Sequence, residues 1–262
     1  MQKLTAWIAL LVLACCGAAQ AQTQVKVEDL PTRPGVSQRL LVLSPPNPQA
    51  TAILFAGGNG LLQIAADGTL GQGKGNFLVR SRQLFADRGM RVIVVDAPSD
   101  RQAPPALSGF RQTPEHLADI RAVMAWARTQ GQQPVWLVGT SRGTQSAAYV
   151  ATELVGAQGP DGLVLTSTIL SDPRGRPVPA MPLGQLKIPV LVVHHEQDGC
   201  KLCPFSELSG LMDKLSAASR KQLISFSGGQ NRGDPCEAFA YHGFNGLEAE
   251  AVTKMVDWML AK

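Results

Sequence analysis

A mostly parallel, doubly wound α/β sheet with helices on both faces is the architecture this chain predicts, and three observations predict it. Seven short apolar runs, most of them β-branched, recur along the sequence, and helix-forming stretches separate most of them. The third is size: 262 residues, 45% hydrophobic, suffice for one large domain and are too few for two substantial ones. Strands buried on both faces read as unbroken apolar runs rather than as an alternation. Strand and helix in turn give parallel pairing through right-handed crossovers.

Taken in order, the strands are expected at 40–43, 52–55, 92–95, 135–138, 163–165, 190–193 and 223–226. Helices are expected at 77–88, 114–129, 141–155, 204–218 and 247–260. The helix at 114–129 carries the clearest start signal, with Thr113 able to cap, Pro114 at the first helical position and Glu115 beside it. Leu117, Ile120, Met124 and Ala127 give it one apolar stripe for packing on the sheet, and His116 in its first turn is expected at the surface. Pro134 opens the strand at 135–138, and an alanine-rich run follows it. Two stretches read as neither strand nor helix. The glycine-dense 57–75 is expected to be a loop near the site, and the proline-dense 171–184 a minimal cap.

Residues 1–21 read as a secretory signal, leaving a mature domain at 22–262. Lys3 gives a basic start, residues 4–16 an apolar run shorter than the ~20 residues of a membrane span, and Ala19-Gln20-Ala21 a small-x-small cleavage site. Val12-Leu13-Ala14-Cys15 makes only a poor lipoprotein signal. Cleavage removes Lys3 and takes the net charge from +4 to +3. The basic residues are scattered, so a nucleic-acid surface is not indicated and a small soluble substrate fits better. No cofactor or metal is implied.

The stretch with chemistry in it is Gly139-Thr140-Ser141-Arg142-Gly143, set between an apolar strand and a helix-forming run. That context suits a sharp strand-to-helix turn whose glycines avoid a clash and whose serine projects above the sheet edge. A serine hydroxyl is a poor nucleophile at neutral pH unless a histidine takes its proton and a carboxylate orients that histidine. Asp198 lies just past the strand at 190–193, at the end where parallel sheets build sites. His242 lies between the last strand and the last helix. The competing groups read as structural: His194 and His195 end a strand and one of them faces the core, Glu196 is a fallback for Asp198, and Asp96 and Asp100 follow a strand, where such residues stabilise loops.

With the order Ser141, Asp198, His242 in place, the chain resembles the α/β-hydrolase family over roughly residues 36–262. The resemblance implies the α/β-hydrolase fold, Ser141 as nucleophile, His242 as base and Asp198 as orienting acid. It also implies an oxyanion hole from the backbone N–H of Arg142 and one from the loop Phe55-Ala56-Gly57-Gly58-Asn59-Gly60, Asn59 first and Gly58 second. Here the sequence departs from the family's common His-Gly pattern, but the donor is a backbone group. The glycines show neither G-x-G-x-x-G nor a Gly-Lys-Ser/Thr ending, so phosphate binding is not indicated. The Arg142 guanidinium is a candidate for reading a polar or anionic substrate group, the alternative being a salt bridge into the protein body.

Of five cysteines, Cys15 and Cys16 fall in the leader, leaving Cys200, Cys203 and Cys236 in a compartment where disulfides persist. Cys200 and Cys203 could form a redox pair or half a metal site, but no second pair stands at zinc-like spacing. A structural bridge from Cys236 to Cys200 or Cys203 is preferred, because it would tie the acid loop to the histidine loop. The sequence thus predicts an exported serine hydrolase cleaving a carboxylic ester or related acyl bond. An amide-cleaving peptidase of the same fold and a catalytically silent binding domain are the alternatives.

Overall fold

The computed structural model describes residues 22–261, so the expected leader lies outside the described residues. Eight strands form one sheet: β1 (Gln24–Arg33), β2 (Val36–Ser44), β3 (Ala50–Phe55), β4 (Met90–Val95), β5 (Val135–Thr140), β6 (Gly162–Thr166), β7 (Val190–His195) and β8 (Lys221–Phe226). Their order across the sheet is β1-β2-β4-β3-β5-β6-β7-β8. The first two pairings are antiparallel and every later one is parallel. All seven apolar runs are therefore strands. The addition is β1, an edge strand whose residues are all exposed or half-exposed and whose sequence carries no apolar run.

Both faces of the sheet are covered, which is why its interior strands carry unbroken apolar runs. Leu40, Val42, Ile53, Phe55, Leu137, Leu163 and Val192 point to one core, while their neighbours Leu41, Leu43, Ala52, Leu54, Trp136, Val164 and Leu191 point to another. The helices divide the same way. The short α1 (Phe77–Arg80), α2 (Arg82–Asp87) and the C-terminal α6 (Glu248–Leu260) pack on the second face; α3 (Pro114–Thr129), α4 (Gly143–Glu153) and α5 (Leu208–Lys214) pack on the first. Among the described residues no helix is long and apolar enough to cross a membrane.

Three departures from the sequence reading have physical causes. The helix expected at 77–88 is broken at Ser81 (φ −91°, ψ 0°), beside an Arg80 side chain that donates to the Gly75 and Gly243 carbonyls and to Glu248. His116 is buried rather than at the surface, 1% exposed, because α3 turns His116, Ile120, Val123, Met124 and Ala127 toward the sheet and leaves Leu117 at the margin. Its ring lies edge-on to Phe55 and Phe110. Residues 171–184 form two 3-10 turns, Val178–Ala180 and Leu183–Gln185, whose Val178, Met181 and Leu183 pack into the first core beside α4.

Candidate active site

β5 ends in Thr140 and turns sharply into α4 through Ser141, held at a φ of +51°, a conformation that residues bearing a side chain adopt at a cost. The flanking glycines are required by space. A Cβ on Gly139 would stand 2.5 Å from the Gly143 carbonyl oxygen, and one on Gly143 would overlap the Phe55 carbonyl at the end of β3. Ser141 N–H donates to Thr166 O at 3.0 Å, and Thr144 Oγ1 donates to Ser141 O at 2.6 Å. The pentapeptide is a strand-to-helix elbow fixed by sterics and by the neighbouring strand.

Asp198 stands three residues beyond β7, and His242 occupies a 3-10 turn, Tyr241–Gly243, ahead of α6. The two meet: His242 Nδ1 is 2.9 Å from Asp198 Oδ2, and both side chains are buried. Burial alone would raise the Asp198 pKa; hydrogen bonds from His194 and His242, the nearby imidazole of His242 and the Cys200 N–H outweigh it and hold the carboxyl at about 2. With Nδ1 turned to an ionised carboxylate, Nε2 of His242 faces the other way, buried and without a hydrogen-bond partner among the described residues. Ser141 and His242 line one cavity of about 630 Å³.

The histidine turn is braced from several sides. Its carbonyl accepts from Ser167 Oγ at 2.6 Å, and His195 stacks on Tyr241 with ring centres 4.3 Å apart. A disulfide joins Cys200, two residues past Asp198, to Cys236, six residues before His242. This is one of the two pairings the sequence suggested. It commits the sulfur of Cys200, so Cys200, Cys203 and His242, though clustered, cannot act together as thiolate and imidazole metal ligands while the bond stands. Cys203 is free and buried; burial, with Asp198 nearby, pushes its thiol well above the usual range, against a redox role.

His194 and His195 are both fully buried. His194 Nε2 lies 2.9 Å from the Cys203 carbonyl and 3.4 Å from Asp198 Oδ2, so that nitrogen carries the proton and adds a second donor to the acid. Glu196 accepts from Ser225 Oγ at the surface and takes no part in this pair. Asp96 is a loop anchor: its carboxylate collects the N–H groups of Leu62, Gln63, Ile64 and Ala97 at 2.7–3.2 Å. That ties residues 62–64 of the glycine-rich loop to the end of β4. Gly57 comes nearest the elbow, since a Cβ there would lie 3.0 Å from Ser141 Cβ. Gly58 and Asn59 line the cavity with it, and among the described residues no acceptor takes the N–H of Gly58, Asn59 or Arg142.

The Arg142 guanidinium donates to Asp172 Oδ2 at 2.8 Å, and Gln145 donates to the same oxygen at 2.9 Å. Both readings of this arginine therefore keep a basis, since its side chain is salt-bridged yet remains 29% exposed and lines the cavity. Around it the cavity wall combines Leu61, Leu62, Phe77, Leu202 and a half-exposed Phe239 with Lys74, Arg232, Asp234 and Glu237. No residue of 171–184 lines it, so the expected cap stands beside the opening, not over it. Sequence reasoning missed Asp172, Ser167 and the buried Arg111, which reach the site through contacts distant in sequence that leave no local pattern.

No protein-family profile matches the chain, and no curated protein matches it in sequence. Solved structures do match. An alpha-beta serine hydrolase homologue from Coxiella burnetii superposes with a TM-score of 0.62 at 18% identity, over 88% of this chain and 97% of the other. Est1E from Butyrivibrio proteoclasticus, solved with ferulic acid, gives 0.59 at 15% identity, over 90% and 100%. A dienelactone hydrolase from Anabaena variabilis gives 0.58 at 14%, over 91% and 96%. The chain has the α/β-hydrolase fold, with an open eight-stranded sheet.

Proposed function

We propose that this protein is an exported serine hydrolase that cleaves a carboxylic ester, or a related acyl bond, of a small soluble substrate through an acyl-enzyme. The observation that carries the reading is the elbow. Ser141 is held at a strained φ between two glycines that tolerate no Cβ, and it opens into the same cavity as a histidine whose Nδ1 is on a buried aspartate. A serine with only a structural role has no need of that strain.

In this mechanism Nε2 of His242 takes the Ser141 proton as Oγ attacks the substrate carbonyl, and Asp198 stabilises the imidazolium that forms. The oxyanion of the tetrahedral intermediate is met by the Arg142 N–H and by Asn59 or Gly58 from the loop after β3. Collapse expels the alcohol, which takes the proton from His242. Water then repeats the sequence on the acyl-serine. The open cavity, with no cap over it, favours short acyl groups over long lipid chains. The Arg142 guanidinium, held in one orientation by Asp172, contacts a polar group of the substrate.

Export is supported by the leader-like segment and by the disulfide, a bond that persists in oxidising compartments. The test of the reaction is labelling with a fluorophosphonate probe. Wild type is expected to label, and Ser141→Ala and His242→Ala to lose labelling; a folded wild type that does not label overturns the proposal. Arg142→Ala should raise KM severalfold with kcat retained, and an unchanged KM would confine its guanidinium to the salt bridge with Asp172.

A further inference from the structure

Arg111 is a buried cation behind the site whose hydrogen-bond partners among the described residues are all neutral. It is 5% exposed, and among the described residues no carboxylate stands within ion-pair distance of it. One terminal nitrogen, Nη2, donates to the carbonyls of Ala56 at 2.9 Å and Gly58 at 3.1 Å. The other, Nη1, donates to Ser146 Oγ at 2.9 Å in the first turns of α4. Burying a charge without a counter-ion is costly. Burial, reinforced by the nearby Arg142, accordingly lowers this guanidinium to about 9, still charged at neutral pH.

The geometry of those three bonds gives that cost a use. In a trans peptide the C=O and the following N–H point in opposite directions. A guanidinium on the carbonyls of Ala56 and Gly58 therefore turns the N–H groups of Gly57 and Asn59 away from itself. Residues 56–59 line the cavity that holds Ser141, whereas Arg111 lines a separate cleft behind them with Gln112, Gln145 and Asp172. Ser146 belongs to the helix that begins at the elbow. One side chain thus fixes the loop after β3 to the nucleophile's helix, and its charge polarises the intervening peptides so that their N–H groups become better donors. Gly60, at φ +72°, keeps the space open, for a Cβ there would lie 2.7 Å from Arg111 Nη2.

We propose that Arg111 is a positioning residue for the oxyanion hole: it orients and polarises the 56–59 peptides from behind, and it acts on the transition state without touching substrate. The inference rests on the serine-hydrolase reading above. It predicts a loss confined to the charge-developing step. With p-nitrophenyl acetate as substrate, Arg111→Met should lower kcat by ~10–100-fold while KM stays within about threefold, because an oxyanion contact is made in the transition state and not in the ground state. The rate of fluorophosphonate labelling should fall in parallel. Arg111→Lys, which keeps the charge but not the fork that spans two carbonyls and a hydroxyl, should fall between the two.

Thermal unfolding and circular dichroism run beside each variant. Wild-type kcat in folded Arg111→Met and Arg111→Lys overturns the proposal, and so does a loss of kcat that only tracks the loss of folded protein. A wild type that labels while the variants behave as it does defeats this inference alone. A wild type inert to both reagents defeats the hydrolase reading and this one with it.

Discussion

His116 stores a pH dependence in one ring. It is buried between Phe55 and Phe110, neither nitrogen has a hydrogen-bond partner among the described residues, and burial, with Arg111 and Arg33 nearby, lowers it to about 3. Its pKa is depressed on folding, so between pH ~6.5 and 3 the unfolded chain binds a proton that the folded one refuses. This ring's contribution to stability is complete above about pH 6.5 and falls by up to ~1.4 kcal/mol for each unit between there and about pH 3. His116→Phe keeps the shape and removes the proton site. Its Tm should decline less from pH 7 to pH 4 than that of wild type, and parallel profiles would show that the acid sensitivity lies elsewhere. Nothing in the sequence marked this residue, for a histidine in a helix's first turn reads as surface until the helix's rotation on the sheet is known.

At the level of elements, the least legible strand fastens the most legible helix. Thr32 and Arg33 of β1 reach across to Asp119 of α3, fully buried, with the hydroxyl at 2.5 Å and the guanidinium at 2.8 and 3.0 Å. The pull of that carboxylate raises the Arg33 pKa despite partial burial. Removing the acid would leave Arg33 to its more exposed second partner, Asp100, and the Thr32 hydroxyl without its acceptor. Asp119→Ala should cost about 2 kcal/mol, below the range for breaking a buried pair because Arg33 keeps Asp100 and some exposure. Urea unfolding reads this out, and a change below about 1 kcal/mol would reduce the contact to a surface ion pair.

The same comparison explains what could be read in advance. Interior strands were legible because burial on both faces produces an unbroken apolar run in each. β1 was not, because a half-exposed edge strand has no such demand. The bounds of α3 were legible through its Thr113 cap and Pro114, and Thr113 does accept from His116 N–H. The break at Ser81 was not, since Arg80's partners lie as far away as Gly243 and Glu248.

Across the whole molecule, the sheet brings together what the chain keeps apart. β5, β7 and the turn before α6 deliver Ser141, Asp198 and His242 to one end of the sheet from positions up to about a hundred residues distant. Their order was legible because each follows a recognisable strand end or precedes a recognisable helix. What surrounds them was not, because Asp172, Ser167 and Arg111 owe their places to long-range hydrogen bonds and not to spacing.

The bond between Cys200 and Cys236 is the one disulfide among the described residues, and it ties the acid's loop to the histidine's. Opening it restores ~3–4 kcal/mol of chain freedom to the unfolded state. It also leaves 228–240, exposed along much of its length, with less to hold His242 on Asp198. Dithiothreitol should lower Tm and slow fluorophosphonate labelling, and reoxidation should restore both; labelling at the same rate in the reduced protein would refute the link. A newly made chain in a thiol-rich compartment would then be a slower form of the same molecule. On the proposed function, its maturation would be an oxidation, with no peptide to cut away, and full activity would wait on the bond.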